Sequence, residues 1–432
     1  MLNVIINQTR NTALIMGVIA LVGLLLQKKS TKDVVNGVVK TVIGFMVFNI
    51  GSGAMNGVIN NFMNLFNAGF GIQGVTTQVE VATALALNTY GTQVALTMVM
   101  GFVFNIVIAK FTKFKAIFLT GQHFLYFACV IALVFIANGM PDVVTILVGG
   151  LVLGFAGAAL PSLAQPFVDK LTDNSGIAMG HFNLIGYTLS GYIGKLIGGK
   201  NGERRGKDVS ELALPGWLSL FRDFVFSVAL FMVVLFYVAV IACAVKGGEA
   251  FELVTKASGN DIWLIWPFLQ GLQFAAGMSV LIYGVRQFIA EITAAFVGIS
   301  EKWIPNSKPA VDCPAVFPFA PNAVLIGFLG AITGGLIATA GMVILKSPTI
   351  MIPAAGICCF SGGTGGVFGN IYGGTKGAFV GGLLLGFTTT ARRVIPESTF
   401  RTLYRWFDAV ISKPLNVTSY GSLYFWLTEM VS

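Results

Sequence analysis

Long apolar runs separated by short basic interruptions make up most of this chain. Runs of spanning or near-spanning length cover residues 13–27, 38–55, 93–109, 116–138, 143–163, 224–245, 263–283, 322–345, 349–368 and 377–390. A helix needs about 20 apolar residues to cross a bilayer core. The pattern predicts an all-α polytopic membrane protein with about 10–11 transmembrane helices.

Several stretches break the pattern. Residues 56–87 carry Asn60, Asn61, Asn64, Gln73, Gln78 and the lone acid Glu80, and read as a partly buried, broken element. Residues 161–199 are interrupted by Pro161, Pro166, Asp169, Asp173, Gly176 and the pair Gly180-His181, the composition of a re-entrant hairpin. Within residues 304–322, prolines 314, 318 and 321 remove backbone donors and prevent a straight helix, and Asp312 stands at the start of that break. Phe288, Ile292, Ala295, Phe296 and Ile299 recur at helical spacing opposite Glu291 and Glu301, as in an amphipathic interfacial helix.

The order of these pieces suggests two halves. His181-Phe-Asn-Leu-Ile-Gly-Tyr187 follows Asp173, and Pro321-Asn-Ala-Val-Leu-Ile-Gly-Phe328 follows Asp312, so each half places an acid, a break and a Leu-Ile-Gly-aromatic run. Inverted repeats with broken helices at matching places are how transporters build a site at the membrane midplane. The expected division is 1–207 and 208–432, with the re-entrant segments 161–199 and 304–322 on either side of a hydrophilic linker carrying Lys200, Arg204, Arg205 and Lys207.

Charge adds orientation. Lys28, Lys29 and Lys32, then Lys110, Lys113 and Lys115, then the central linker, then Arg392, Arg393, Arg401 and Arg405 mark cytoplasmic segments and put the N-terminus outside. The tail from residue 411 reads either as an interfacial helix or as a short last span. Only 10% of residues are charged and 55% are hydrophobic, which excludes a soluble multidomain protein. The net charge of +9 is assigned to orientation and anionic lipid, with no nucleic-acid partner. The five cysteines lack metal-ligand spacing and read as packing residues, so no metal or cofactor is expected. No hydrophilic stretch is long enough for a soluble catalytic domain, which assigns any energising domain to another chain.

The candidate binding residues are the polar groups inside these apolar surroundings: Glu80, Gln122, His123, Tyr126, His181 and Asp312. A carboxylate at membrane depth costs at least ~2.5–3.5 kcal/mol, so an acid that persists there points to function. Imidazole offers a donor and an acceptor near neutral pH, suited to the hydroxyls of a polar solute. Gln122 and Tyr126 are four apart and share a helical face. Each residue also has a structural alternative: a histidine bonded to a neighbouring helix, or an acid solvated at the membrane edge. The glycine runs at 362–366 and 373–374 lack the Lys-Ser/Thr of a phosphate loop, which argues against nucleotide binding.

Several longer motifs resemble one family. Lys40-Thr-Val-Ile-Gly-Phe-Met with Gly51-Ser-Gly53, Leu119-Thr-Gly121, Leu214-Pro-Gly-Trp217, Gly284-Val-Arg-Gln-Phe-Ile-Ala-Glu291, Val311-Asp-Cys313, Phe319-Ala-Pro-Asn-Ala323, and Ile352-Pro353 through Val367-Phe368 run collinearly from about residue 38 to 385. They resemble the membrane subunit (enzyme IIC) of the phosphoenolpyruvate-dependent phosphotransferase system (PTS), L-ascorbate type. The resemblance implies a homodimeric carrier in the bacterial cytoplasmic (inner) membrane, with interleaved core and scaffold domains related by inverted repeats. It also implies a IIB partner, itself served by IIA, whose phosphocysteine phosphorylates the bound sugar, so that the permease holds no phosphorylated residue of its own. His181 matches the histidine of the family's Gly-His pair and Asp312 the aspartate of its Asp-Cys motif. Gln122 replaces the histidine of Leu-Thr-Gly-His, with His123 one step on; Tyr126 and Phe182 each replace a glutamine, and Val79-Glu80 replaces a Thr-Tyr pair. The resemblance implies L-ascorbate or a related small sugar or polyol as substrate, and the extra acid at Glu80, which opposes an anion, favours a neutral sugar or polyol among these. An ion-coupled secondary transporter, using Glu80 and Asp312 as ion sites, is the alternative from the residues alone.

Overall fold

The computed structural model describes residues 12–71, 74–75, 79–198, 220, 223–304, 306–347, 350–353 and 355–391. Eleven helices of eight residues or more lie among them: α1 (Thr12–Leu26), α2 (Thr31–Phe70), α3 (Val79–Phe111), α4 (Gly121–Ala137), α5 (Asp142–Leu171), α6 (Leu184–Gly198), α7 (Phe224–Lys246), α8 (Gly248–Ser258), α9 (Trp266–Trp303), α10 (Pro321–Ile344) and α11 (Gly363–Ala391). Among the described residues six helices are long and apolar enough to cross a membrane, and α1 and α4 contain shorter apolar segments. The protein is an all-α polytopic membrane protein. The linker with Leu214-Pro-Gly-Trp217, the arginines from 392 onward and the tail lie outside the described residues.

Local chemistry sets the helix ends. Ser30 Oγ accepts from the Asp33 amide (3.2 Å) at the start of α2, and Gly71, at φ +67, closes it in the left-handed conformation that glycine adopts without strain. Asp223 caps α7 through the Phe226 amide, 2.8 Å away. Pro321 occupies the first turn of α10, where its missing N–H costs nothing.

Some boundaries differ from the sequence expectation. Residues 31–70 form one helix and residues 79–111 another, so the break expected across 56–87 falls between α2 and α3. Helix α5 runs through Pro161 and Pro166 to Leu171, and the interruption begins at Thr172. Neighbouring helices re-satisfy carbonyls freed by proline inside a membrane bundle, so these two prolines do not stop the helix. The span expected at 263–283 and the amphipathic helix expected at 288–303 are parts of one 38-residue helix, α9. Residues 349–368 and 377–390, expected as two spans, meet in α11 at a kink where Gly374 has φ +57.

The helices sort into two packing groups, each drawn from both halves of the chain. One joins α1 and α2 to α7, α8 and α9 around Phe48, Met55, Phe62, Phe236, Phe274 and Phe288, all less than 2% exposed. The other joins α3, α4 and α5 to α6, α10 and α11. Between helices of the second group lie short strands: β2 (Ala116–Phe118), β3 (Ala178–Met179) and β4 (Lys308–Val311) form a parallel sheet in the order β2-β4-β3. A second parallel pair joins β1 (Gly74–Val75) to β5 (Ile350–Met351). These ladders satisfy part of the backbone of the broken segments, as non-helical chain at membrane depth requires.

Candidate functional site

The three parallel strands run towards one place. β2 ends at Phe118 and leads through Leu119 and Thr120 into the first turn of α4, which carries Gln122 and His123. β3 ends at Met179 and leads through Gly180 to His181; β4 ends at Val311 and leads to Asp312. Backbone bonds extend the ladder past the strands, from Leu119 N to Ala310 O (2.9 Å) and from Gly180 N to Val311 O (2.6 Å). Three polar segments distant in sequence are thereby held side by side. The polar turn at Thr120–His123 lies at the start of a helix, not within a span as the apolar run from 116 to 138 suggested.

Glycine is required at position 180. A Cβ there would run into the Ala310 carbonyl and lie 2.7 Å from Thr120 Oγ1. Gly180→Ala is therefore expected to separate β3 from β4 and destabilise the fold by ~1–3 kcal/mol, the order of one lost buried hydrogen bond with its packing. A thermal melt of the purified variant measures it, and an unchanged midpoint would contradict the role given to this ladder.

At the strand ends, Asp312 is the hub. Its Oδ2 accepts from Gln122 Nε2 at 2.8 Å, and its Oδ1 lies 3.1 Å from His123 Nε2 and accepts from the Cys313 amide at 2.7 Å. The last bond starts the 3-10 turn Cys313–Ala315, so the aspartate anchors the break and the site at once. The His123 and Asp312 side chains keep 20% and 25% of their surface exposed. His181 is buried, its ring centroid 4.1 Å from that of His123 and its Nδ1 accepting from the Asn183 amide at 3.0 Å. Tyr126 is buried on α4 with its ring edge-on to His123, centroids 5.8 Å apart. Five of the six candidate residues thus stand together. Glu80 lies in the first turn of α3, and its side chain is outside the described residues. Asp173 is exposed, in the turn that precedes β3.

A layer behind His181 was not singled out from sequence. The Tyr187 hydroxyl on α6 donates to Ser361 Oγ (3.2 Å) and lies 3.3–3.4 Å from the two His181 ring nitrogens and 3.7 Å from Cys313 Sγ. Ser361 sits in the π-helical turn Cys358–Gly362 that leads into α11, a local geometry frequent at functional sites. Tyr187 was visible only as the aromatic ending the Leu-Ile-Gly run, and Cys313 only as a packing residue. Phe182, beside His181, turns into an aromatic cluster, with centroids 4.7 Å from Phe118 and 4.3 Å from Phe127. No group of His, Cys, Asp and Glu able to hold a metal occurs among the described residues. The arrangement gathers a carboxylate, an amide and two imidazoles inside an apolar bundle.

Comparison with known proteins identifies this architecture. A family model described as PTS system sugar-specific permease component matches residues 6–403. The ascorbate-specific PTS system EIIC component of Mycoplasma pneumoniae is 28% identical over 427 residues, an alignment covering 88% of this chain and 64% of that protein. The chain thus spans a little under two thirds of its relative's length. By the extent of the family match, the chain belongs to the PTS sugar-specific permease component family.

Proposed function

We propose that this chain is the membrane (IIC) subunit of a phosphoenolpyruvate-dependent sugar phosphotransferase system, translocating L-ascorbate or a related small sugar or polyol as it is phosphorylated by IIB. The observation that carries the reading is the convergence of Gln122, His123 and Asp312 beside His181 at the ends of three parallel strands, enclosed by apolar helices. A cluster of donors and acceptors at a break in membrane helices is the construction expected around a polar solute. Tyr126 and Glu80 complete the pocket in this reading. Membership of the permease family and the similarity to an ascorbate-specific relative support the substrate class.

The same reading assigns the two packing groups. The α3–α6, α10 and α11 group is the core that carries the sugar, and the α1, α2 and α7–α9 group is the scaffold through which two protomers associate. The two half-repeats are 1–207 and 208–432. The protein resides in the bacterial cytoplasmic (inner) membrane with its N-terminus outside, and IIB, supplied by IIA, approaches from the cytoplasm. Phosphoryl transfer then asks the permease mainly for positioning and charge stabilisation.

The test is uptake into proteoliposomes holding the purified protein, using radiolabelled L-ascorbate and, in parallel, labelled pentitols and hexoses. Sugar phosphate is expected to accumulate inside only when phosphorylated IIB is enclosed. Equal uptake without it would overturn the proposal, and accumulation driven by an imposed proton gradient alone would establish the ion-coupled alternative.

A further inference from the structure

The two histidines stand side by side but are bonded differently, and this assigns them different work. His181 is 5% exposed. Its Nδ1 accepts the Asn183 amide proton at 3.0 Å, so the ring proton sits on Nε2. The Tyr187 hydroxyl spends its own proton on Ser361 Oγ at 3.2 Å, which turns its lone pairs to Cys313 Sγ and to the His181 ring, 3.4 Å from Nε2. Both nitrogens of His181 are thus engaged by the protein, and neither offers a lone pair to a sugar.

His123 is the reverse case. Its Nε2 faces Asp312 Oδ1 at 3.1 Å. An ionised carboxylate can only accept, so the ring proton is held on Nε2 and the lone pair falls on Nδ1. Nδ1 has no hydrogen-bond partner among the described residues, and the side chain keeps 20% of its surface exposed. Asp312 cannot swing away without losing the Cys313 amide and Gln122 Nε2 as well, so the carboxylate is held from two elements. Oδ1 is filled by two donors, while Oδ2 keeps one position for a hydroxyl. Acid, imidazole and free ring nitrogen in series are the logic by which a carboxylate fixes the tautomer of a catalytic histidine.

We propose that His123, not His181, takes the proton from the attacking sugar hydroxyl, with Asp312 and Gln122 as positioning residues and the Tyr187–Ser361 pair holding His181 as a fixed wall of the site. The inference rests on the proposed function, which supplies the phosphoryl donor, a phosphocysteine thioester-like S–P bond on the partner protein. The sugar O–H bond breaks and its proton goes to His123 Nδ1. The oxygen forms a bond to phosphorus, the S–P bond breaks, and its electron pair leaves on the cysteine as thiolate. The imidazolium returns the proton to water, and Asp312 stays ionised throughout. His181, its ring 4.1 Å away and neutral, borders the imidazolium as it forms.

The experiment separates binding from chemistry in the full-length protein. His123→Gln retains an N–H where Nε2 stood and so preserves the bond to Asp312, but removes the basic nitrogen. With phosphorylated IIB and radiolabelled L-ascorbate, or whichever sugar the wild type phosphorylates, its turnover at saturating sugar is expected to fall about a hundredfold, the lower end of general-base contributions. Its sugar dissociation constant, from titration calorimetry, should stay within about threefold, because the donor set is kept. Asp312→Asn should show the same split in weaker form, at least about tenfold in turnover, since its oxygen stays towards the Cys313 N–H and His123 Nε2 but the charge that stabilises the imidazolium is gone. The double variant should be no more than about tenfold slower than either single one, as for groups acting as a unit. His181→Gln should instead raise KM, with turnover at saturation falling less than tenfold. An active wild type in which His123→Gln or Asp312→Asn turns over normally, or in which His181→Gln alone shows the hundredfold loss, overturns the inference by itself. A wild type that phosphorylates no sugar with IIB overturns the proposed function, and the inference with it.

Discussion

Asp312→Ala is expected to lower sugar affinity at least about a hundredfold, equivalent to ~3 kcal/mol or one to two charge-assisted hydrogen bonds. The substitution does more than remove one acceptor. Gln122 Nε2, His123 Nε2 and the Cys313 amide all converge on this carboxylate, so alanine leaves three donors without their partner and frees the turn that follows. Because the site is partly open, water can replace some of the lost bonds, and the cost should fall on binding more than on folding. Titration calorimetry with the transported sugar, beside a thermal melt of the same preparation, measures both. An affinity within threefold of wild type would show that the cluster is not the sugar site.

The largest effect on stability is expected at Gly382. Helices α10 and α11 touch backbone to backbone along glycines and alanines: a Cβ on Gly382 would enter the Gly327 backbone, one on Gly386 the Ala331 carbonyl, and one on Gly334 the Leu383 carbonyl. In lipid, helices gain little from hydrophobicity against each other, and close approach at small residues supplies much of the association. Gly382→Val must push the pair apart, a cost of ~1–3 kcal/mol or more, and in a chain of this length should lower the melting midpoint of detergent-purified protein by about 1–3 °C or more. Gly341→Val on the same α10 is the matched control, because nothing lies within 4 Å of its Cβ position. It should melt within about 0.5 °C of wild type. Equal behaviour of the two variants would refute the close-packing account.

These residues also show what could be read from sequence. The span at 322–345 was placed nearly to the residue, because proline marks its start and a charge-free run fills it. Asp312, His123 and His181 stood out because ionisable groups among apolar neighbours are few. Apolar composition hid the rest. Ala116-Ile-Phe118 reads as the beginning of a helix as readily as a strand, so the polar turn of Gln122 and His123 was set in mid-span. Pro161 and Pro166 carried a breaking signal that the surrounding helices override. Strands of two to four residues show no periodicity, so the sheet joining residues 116, 178 and 308 left no trace in the sequence. Tyr187 and Ser361 form a pair across 174 positions of the chain, and neither residue type is unusual in such a context.

The β2-β4-β3 ladder limits how the protein can open to either side of the membrane. Each of its strands brings one of the groups that would grip the solute, and the middle strand is bonded to both of its neighbours. Swinging any one segment aside would strip backbone bonds of the buried strands β2 and β3, at a cost of ~1–3 kcal/mol for each buried group left unpaired. Moving all three together breaks none. Carriage of the cargo as a single block is therefore cheaper than a hinged gate, and the sliding has to occur along surfaces outside the ladder.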